Sequence, residues 1–120
     1  MDLNDIANAL FEACSTGQER QALETLYAAD AVSVEAIDDG QGREAQGRAA
    51  ISGKHDWWEA NFDVIEADVG GPFLHAPDRF ALTFSLKAKH KESGEVSDMS
   101  EVALYHVSGG KIVREEFFYS

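Results

Sequence analysis

The chain has 120 residues, 44% of them hydrophobic, and its 22 acidic and 10 basic side chains give a formal net charge of −12. This length suits one domain built around a single core. The negative charge opposes binding to phosphate backbones and anionic lipid, and no apolar run is long enough to span a bilayer. We therefore expect neither nucleic acid nor a membrane as a partner.

Cysteine and histidine usage limits the disulfide and metal chemistry that we expect of the chain. Cys14 is the single cysteine, so no internal disulfide can form, and no N-terminal stretch has the pattern of a secretory leader. A reducing, cytoplasmic environment fits this composition. The four histidines, at positions 55, 75, 90 and 106, show no zinc-like spacing. We expect no metal and no other cofactor.

Three helices are predicted in the first half of the chain. Hydrophobic residues recur at helical spacing from Leu3 to Cys14, with Asp2 as a candidate N-cap and Gly17 as a candidate stop. A second, shorter helix ends near Asp30. A third is predicted over residues 48–61, where isoleucine, histidine, tryptophan and phenylalanine lie on one stripe.

Five strands are predicted, of which only the first precedes the third helix. Residues 31–37 alternate as a strand that the cluster Asp38-Asp39-Gly40 ends. The others lie near 63–69, 79–90, 95–107 and 111–119, separated by the turn signals Gly70-Gly71-Pro72, Pro77-Asp78, Ser93-Gly94 and Ser108-Gly109-Gly110. Helices followed by an antiparallel meander indicate an α+β domain with helices on one face of a curved sheet.

A glutamate stands within the apolar final strand. Period-2 alternation places Glu115 on one face with Val113, Phe117 and Tyr119. A carboxylate among aromatic side chains is costly unless it is paired, neutralised or hydrated. The pattern therefore favours a cavity that holds water or a polar ligand.

Three segments resemble a known family. The run Leu26-Tyr27-Ala28-Ala29-Asp30-Ala31-Val32-Ser33-Val34, the helix entry Gly47-Arg48-Ala49-Ala50-Ile51 and the terminal Gly110-Lys111-Ile112-Val113 look like the SnoaL-like, ketosteroid-isomerase-related branch of the nuclear transport factor 2-like superfamily. The resemblance covers essentially the whole chain. It implies a cone-shaped (cystatin-like) fold, an apolar pocket at one end that takes a hydrophobic small molecule, and a homodimer formed through the sheet.

The resemblance also suggests functional positions. In ketosteroid isomerases the general base ends the first strand, and an ungapped match places Glu35 there. The oxyanion-hole tyrosine and protonated aspartate of those enzymes match Phe11 and Val102 in this register, so both donors are missing. Met99 and Glu101 are close by, and a bulge or a one-residue slip would turn Glu101 inward.

The predicted pocket is lined mainly by apolar and aromatic side chains. Its members are Phe11, Ile51, His55, Trp58, Phe84, Met99, Glu101, Val102, Leu104, Phe117 and Tyr119. Simpler interpretations stand beside this one: Glu35 can equally face solvent, His55 can be a packed helix residue, and the strand hydrophobics can form an ordinary core.

Two function classes remain open at this stage. In the first, the protein is a cofactor-independent isomerase, hydrolase or lyase in which Glu115 is the candidate acid, Glu35 the candidate base and His55 a candidate third titrating group. In the second, it only binds an apolar ligand or a protein partner. We expect the homodimer to form on a small-residue face of the sheet: Ala81, Thr83, Ser85, Ala103 and Tyr105.

Overall fold

The computed structural model describes residues 1–38, 40 and 42–119. Its helices are α1 (Leu3–Ser15), α2 (Glu19–Leu26) and α3 (Arg48–Asn61). Its strands are β1 (Tyr27–Val34), β2 (Glu44–Gln46), β3 (Phe62–His75), β4 (Arg79–His90), β5 (Val96–Ser108) and β6 (Lys111–Phe118). The predicted α+β class, three helices against one curved sheet, is confirmed.

All six strands form one mixed sheet in the order β2-β1-β6-β5-β4-β3. β3 to β6 make an antiparallel meander, while β1 and β6 run parallel. The strand that comes last in the chain therefore lies inside the sheet, between the first strand and the meander. This placement brings the end of β1 next to the end of β6.

The first helix begins and ends where the sequence predicts. Asp2 and Asp5 form a reciprocal capping box, which satisfies two of the free N–H groups at the helix start. Gly17 follows the helix with φ +71°, a conformation that favours glycine. The apolar face of α1 is buried through Ile6, Ala7 and Leu10.

The core lies between the helices and the concave face of the sheet. Its largest fully buried side chains are Phe80, Ile6, Ile51, Leu82 and Ile112. One polar residue, Ser33, is also fully buried there. In the described part of the chain, no helix is long and apolar enough to cross a membrane.

The boundary between α2 and β1 differs from the prediction. The helix was expected to end near Asp30, but it ends at Leu26, and β1 begins at Tyr27 rather than Ala31. The alanines after Tyr27 are good helix formers, yet pairing of Tyr27 with Ile112 on β6 draws this segment into the sheet. Tertiary pairing thus overrides local propensity.

The predicted turn at Gly70-Gly71-Pro72 is wrong, because β3 continues through it to His75. The ladder to β4 shifts register between Gly70 and Phe73, so the glycines form a bulge. A Cβ at Gly70 would collide with the hydroxyl of Thr83, and Gly71 has φ +109°. Both glycines are therefore required by close approach and backbone conformation, not by a change of chain direction.

A short strand was missed altogether. β2 has only three residues and pairs with the end of β1, which stops at Val34 instead of Ile37. Of the predicted stop Asp38-Asp39-Gly40, Asp39 lies outside the described residues. The carboxylate of Asp38 accepts hydrogen bonds from the N–H groups of Gly40 and Gly42, which fixes the turn into β2.

Candidate functional site

The inner face of β6 carries the buried carboxyl that the sequence singled out. Glu115 is 5% exposed. Val113 was expected on the same face, but a register shift between His106 and Val107 makes Val113 the extra residue of a bulge. Ile112, the residue before Val113, is the one whose side chain is fully buried in the core.

Glu115 is held by hydroxyl donors from β1. The phenol of Tyr27 donates to Glu115 Oε2 at 2.7 Å, and Ser33 lies directly opposite Glu115 in the parallel ladder. Burial raises the pKa of Glu115, and the charge of Glu35 raises it further, whereas Tyr27, Lys54 and Ser33 lower it. Burial is the largest of these effects.

Glu35 follows β1 on the same side as Ser33. Its Oε2 accepts from Lys54 Nζ at 2.5 Å, and its Oε1 accepts from the Tyr119 hydroxyl at 2.9 Å. Arg43 clamps the backbone of Glu35, because its Nε donates to the Glu35 carbonyl at 2.8 Å. The Glu35 side chain is 32% exposed. The pattern left its direction open, and the structure turns it toward the interior.

Lys54 is the member of the site that the sequence analysis missed. It extends from α3 and donates to Ser33 Oγ at 2.7 Å as well as to Glu35. Its ammonium also lies 5.2 Å from the centroid of the Phe117 ring, within cation–π range. The available signal was its spacing: it stands three positions after the buried Ile51, on the helix face that packs toward the sheet.

Glu101 faces the interior from β5, directly opposite Phe84 on β4. The β4–β5 ladder is regular there, so no bulge or slip is needed to turn Glu101 inward. Burial, followed by the charges of Glu35 and Glu115, raises its pKa to about 7, and Lys54 partly opposes the increase. Within the described residues, Glu101 has no hydrogen-bond or ion-pair partner.

The regular ladder also corrects two predicted pocket residues. Val102 and Leu104 alternate with Glu101, so they lie on the outer face of the sheet, and Val102 is 42% exposed. The inner positions belong instead to Ala103 and Tyr105, both buried, which were expected on the outer face. Tyr105 stacks on the ring of Phe80 at 4.9 Å between centroids.

The remaining predicted pocket residues are spread over the interior. Phe11 is half-buried on α1 and packs against the core, while Ile51 is fully part of it. Met99 is half-buried, on the same face of β5 as Glu101. Trp58 stacks on Phe62 with 4.4 Å between ring centroids, near the start of β3.

His55 is half-buried, but charges other than the interior glutamates dominate its surroundings. Burial lowers its pKa, and the neighbouring charges of Arg20 and Lys54 lower it further, against the opposing effects of Glu59 and Asp56. Arg20 forms ion pairs with Asp56 and Glu59 on the helix surface. The structure therefore brings together Glu35, Glu115 and Lys54, and places His55 beside the surface ion pairs.

We call Glu35, Glu101 and Glu115, with Lys54, the carboxyl cluster. Two clefts, of about 510 and 530 Å³, lie elsewhere. The first is lined by Val34, Asp38, Gly42, Arg43, Glu44, Arg114 and Glu116, and the second by Arg20, Leu23, Glu24, Arg48, Ala49 and Ser52. Among the described residues, no group of histidine, cysteine, aspartate and glutamate side chains is arranged to hold a metal ion.

The cluster combines one ion-paired carboxylate with carboxyls of raised pKa. Such a set can accept a proton at one oxygen and donate one from another at neutral pH. Tyr119, whose pKa burial and Glu35 raise to about 12, remains a neutral hydrogen-bond donor. Phe84 and Phe117 add aromatic surface next to these polar groups.

Comparison with known proteins gives one family. The model of the SnoaL-like domain matches residues 1–119. A solved structure named as a candidate SnoaL-like polyketide cyclase, from Mesorhizobium loti, is 35% identical, with a TM-score of 0.93 over 99% of this chain and 100% of that one. No curated protein matches the sequence significantly.

More distant structures share the fold. A protein from Catenulispora acidiphila with a ketosteroid isomerase-like fold is 23% identical, with a TM-score of 0.74 over 100% of this chain and 88% of that one. A protein from Xanthomonas campestris with a cystatin-like fold is 21% identical, with a TM-score of 0.73 over 100% of this chain and 92% of that one. The predicted cystatin-like architecture is thereby confirmed.

Proposed function

Because the chain belongs to the SnoaL-like domain family, we propose that it is a cofactor-independent acid–base enzyme that moves a proton on a hydrophobic, oxygen-bearing small molecule. Glu35 is the base and Glu101 is the proton-bearing carboxyl. The family includes proteins named for several chemistries, so this proposal is based on the cluster itself.

The observation that carries the proposal is the contrast between two neighbouring carboxyls. Glu35 accepts hydrogen bonds from an ammonium and a phenol. Glu101 has a pKa of about 7, so an appreciable fraction of it is protonated at neutral pH. An ion-paired carboxylate beside a carboxyl of raised pKa can serve as the base and the acid of one reaction.

The proposed reaction begins at a C–H bond next to a carbonyl group. Glu35 takes the proton, and the electron pair of that bond moves into the carbonyl to form an enolate. The O–H of Glu101 hydrogen-bonds to the enolate oxygen, where the negative charge develops. Return of the proton from Glu35 to another carbon of the conjugated system completes an isomerisation. In an elimination, the enolate electrons instead expel a leaving group from the adjacent carbon, and that group takes the proton from Glu35.

Glu115 was the expected acid, but its position favours a different role. It is 5% exposed and already accepts from Tyr27, so a substrate has little access to it. Glu101 is half-buried and unpaired within the described residues, and it lies beside the aromatic ring of Phe84. We therefore assign proton donation to Glu101 and a supporting role to Glu115.

The test follows proton transfer directly. Cyclic enones and β-keto esters are incubated with the protein in D₂O, and deuterium incorporation next to the carbonyl is measured by NMR. Glu35→Gln should reduce the exchange rate by roughly 10²-fold or more, since the base is lost. Glu66→Gln, on exposed β3, is the matched control and should exchange like the wild type. Equal rates in Glu35→Gln and wild type would overturn the proposal.

A second candidate function is a non-catalytic ligand-binding module. The observation in its favour is that Lys54 and Tyr119 already occupy both oxygens of Glu35. Under this proposal the same compounds bind, which tryptophan fluorescence would report, but no deuterium is incorporated.

We also propose that the protein is a homodimer formed through the outer face of the sheet. Val102 and Phe118 pair directly across β5 and β6 and are 42% and 48% exposed, next to the partly buried Thr83. Dimers of ordinary stability bury on the order of 1,600 Å² in total. Light scattering should report a dimer of the 13.1 kDa chain, and Val102→Asp should yield the monomer. A wild-type monomer at micromolar concentration would refute this.

A further inference from the structure

We infer that Lys54 is the positioning residue of the carboxyl cluster: its ammonium binds and orients the Glu35 carboxylate and leaves Glu101 outside that ion pair. This inference rests on the proposed acid–base function, and it names the group that distinguishes the base, Glu35, from the proton-bearing carboxyl, Glu101. Three carboxyls that face one interior would otherwise compete for the same protons.

The geometry of Lys54 is asymmetric with respect to the three carboxyls. Its Nζ contacts Glu35 Oε2 at 2.5 Å, whereas it acts on Glu101 and Glu115 only through space. An ammonium in direct contact stabilises the ionised form of its partner far more than that of groups farther away. Glu35 is therefore the carboxyl held in direct contact with the positive charge, and Glu101 lies outside this ion pair.

The position of the ammonium is fixed by further contacts. Lys54 donates to Ser33 Oγ at 2.7 Å, and Ser33 is fully buried opposite Glu115. Since Ser33 accepts from Lys54, its own O–H is free to donate to Glu115, which lowers the pKa of that carboxyl. The ring of Phe117 lies on another side of the ammonium.

The same arrangement gives Glu115 a function without contact to substrate. Glu115 accepts hydrogen bonds from Tyr27 and Ser33. Ser33 in turn accepts a hydrogen bond from Lys54, and Lys54 also donates to Glu35. The first two contacts join β1 to β6, and the two contacts of Lys54 join α3 to β1 and to the residue that follows it. The chain of contacts runs from the buried core to the half-exposed base.

Other titratable and charged groups surround this arrangement. Tyr119, which directly follows β6, donates to Glu35. Glu101 faces Glu35 from β5, and Arg43 donates to the Glu35 backbone carbonyl. His55 adjoins Lys54 on α3, but burial, and then the charge of Arg20, lower its pKa. Of these groups, Lys54 alone contacts the Glu35 carboxylate with a positive charge.

The test is a carboxyl titration by ¹³C NMR, with Glu101 as the reporter. Lys54→Met removes a charge that lowers the pKa of Glu101, so its midpoint should rise above about 7 by about half a pH unit or more. Lys54→Arg should restore the wild-type midpoint. Lys89→Met, on the exposed side of β4, is the control for loss of one positive charge.

Glu35→Gln supplies a check of opposite sign. The Glu35 charge raises the pKa of Glu101, so this variant should lower the midpoint. If Lys54→Met destabilises the fold, Lys54→Gln provides the same loss of charge with a polar side chain. A Glu101 midpoint that is the same in wild type and Lys54→Met would overturn the inference.

Deuterium exchange separates this inference from the proposed function. If turnover is present, Lys54→Met should reduce kcat roughly tenfold or more with little change in KM, and Lys54→Arg should recover most of it. A shifted Glu101 midpoint without any turnover would refute the proposed enzymatic activity but support the positioning role of Lys54. A kcat for Lys54→Met equal to that of the wild type would refute the positioning role of Lys54 and leave the proposed enzymatic activity unaffected.

Discussion

The phenol of Tyr27, the first residue of β1, donates a 2.7 Å hydrogen bond to Glu115 in the middle of β6. Both side chains are more than nine-tenths buried, so neither group can turn to water if its partner is lost. Tyr27→Phe should therefore lower the free energy of unfolding by about 1–3 kcal/mol at pH 8, as measured by urea denaturation. An unchanged midpoint would show that the bond contributes nothing.

Glu115→Gln tests the other partner. An amide costs less to bury than an ionised carboxylate and its oxygen can still accept from Tyr27, so stability at pH 8 should equal or exceed that of the wild type. The control is Glu116→Gln on the outer face, which loses only partly exposed ion pairs with Arg114 and Arg43. Its effect should stay within about 1 kcal/mol. Strong destabilisation by Glu115→Gln would contradict the cost assigned to the buried charge.

The raised pKa of Glu101 makes stability depend on pH. Its value is about 7 in the folded protein and near 4.5 when unperturbed, so between these values the folded state binds more protons than the unfolded state. The contribution of Glu101 to stability therefore falls as pH rises from about 4.5 to 7 and is constant outside that window. The total is on the order of 1–3 kcal/mol.

Glu101→Gln should remove this contribution, because the amide does not titrate. Urea denaturation at pH 5 and pH 8 should show that the variant gains stability relative to wild type at the higher pH. The same difference between variant and wild type at both pH values would argue against a protonated Glu101.

Activity should follow the same group. If Glu101 donates a hydrogen bond to the developing enolate, the deuterium-exchange rate should decline as pH rises through about 7, where Glu101 ionises. Glu101→Gln still offers an N–H donor but should show a lower rate with no such decline. A wild-type rate that rises between pH 6 and pH 8 would contradict this role.

Cys14 should be chemically inert in the folded protein. Burial, with smaller effects from Glu19 and Glu115, raises its pKa to about 12, so almost no thiolate exists at pH 8. We expect a disulfide reagent such as Ellman's to react roughly 10²-fold or more slowly with the native chain than in urea. Equal rates in the two conditions would show that the thiol is open to solvent.

The sequence predicts the elements of this fold better than their ends. Capping by Asp2 and the apolar spacing of α1 are local signals, and the structure agrees with both. The start of β1 at Tyr27 and the bulge at Gly70 depend on pairing with distant strands, which no local pattern contains. A glycine pair reads equally well as a turn and as a bulge.

The candidate site was predicted only in part, because it too depends on the pairing of distant strands. Alternation along β6 correctly turns Glu115 inward, because that strand is regular from Arg114 onward. The register of β5 follows from its pairing with β4, so sequence alone could not decide between Glu101 and Val102. Lys54 was overlooked because a lysine on a helix normally covers surface, and only its contacts with Ser33 and Glu35 place it inside.

The position of β6 between β1 and β5 also bears on the order of folding. The meander from β3 to β6 closes through short turns, whereas the pair Tyr27 and Glu115 joins residues 88 positions apart. Loop closure of that length is slow, so the parallel pairing of β1 with β6, which we call the β1–β6 seam, should form after the meander. Glu35, Ser33 and Lys54 stand on one side of this seam, and Glu101, Glu115 and Tyr119 on the other. A partly folded chain therefore carries both halves of the carboxyl cluster apart from each other, and the cluster is assembled only in the last closure step.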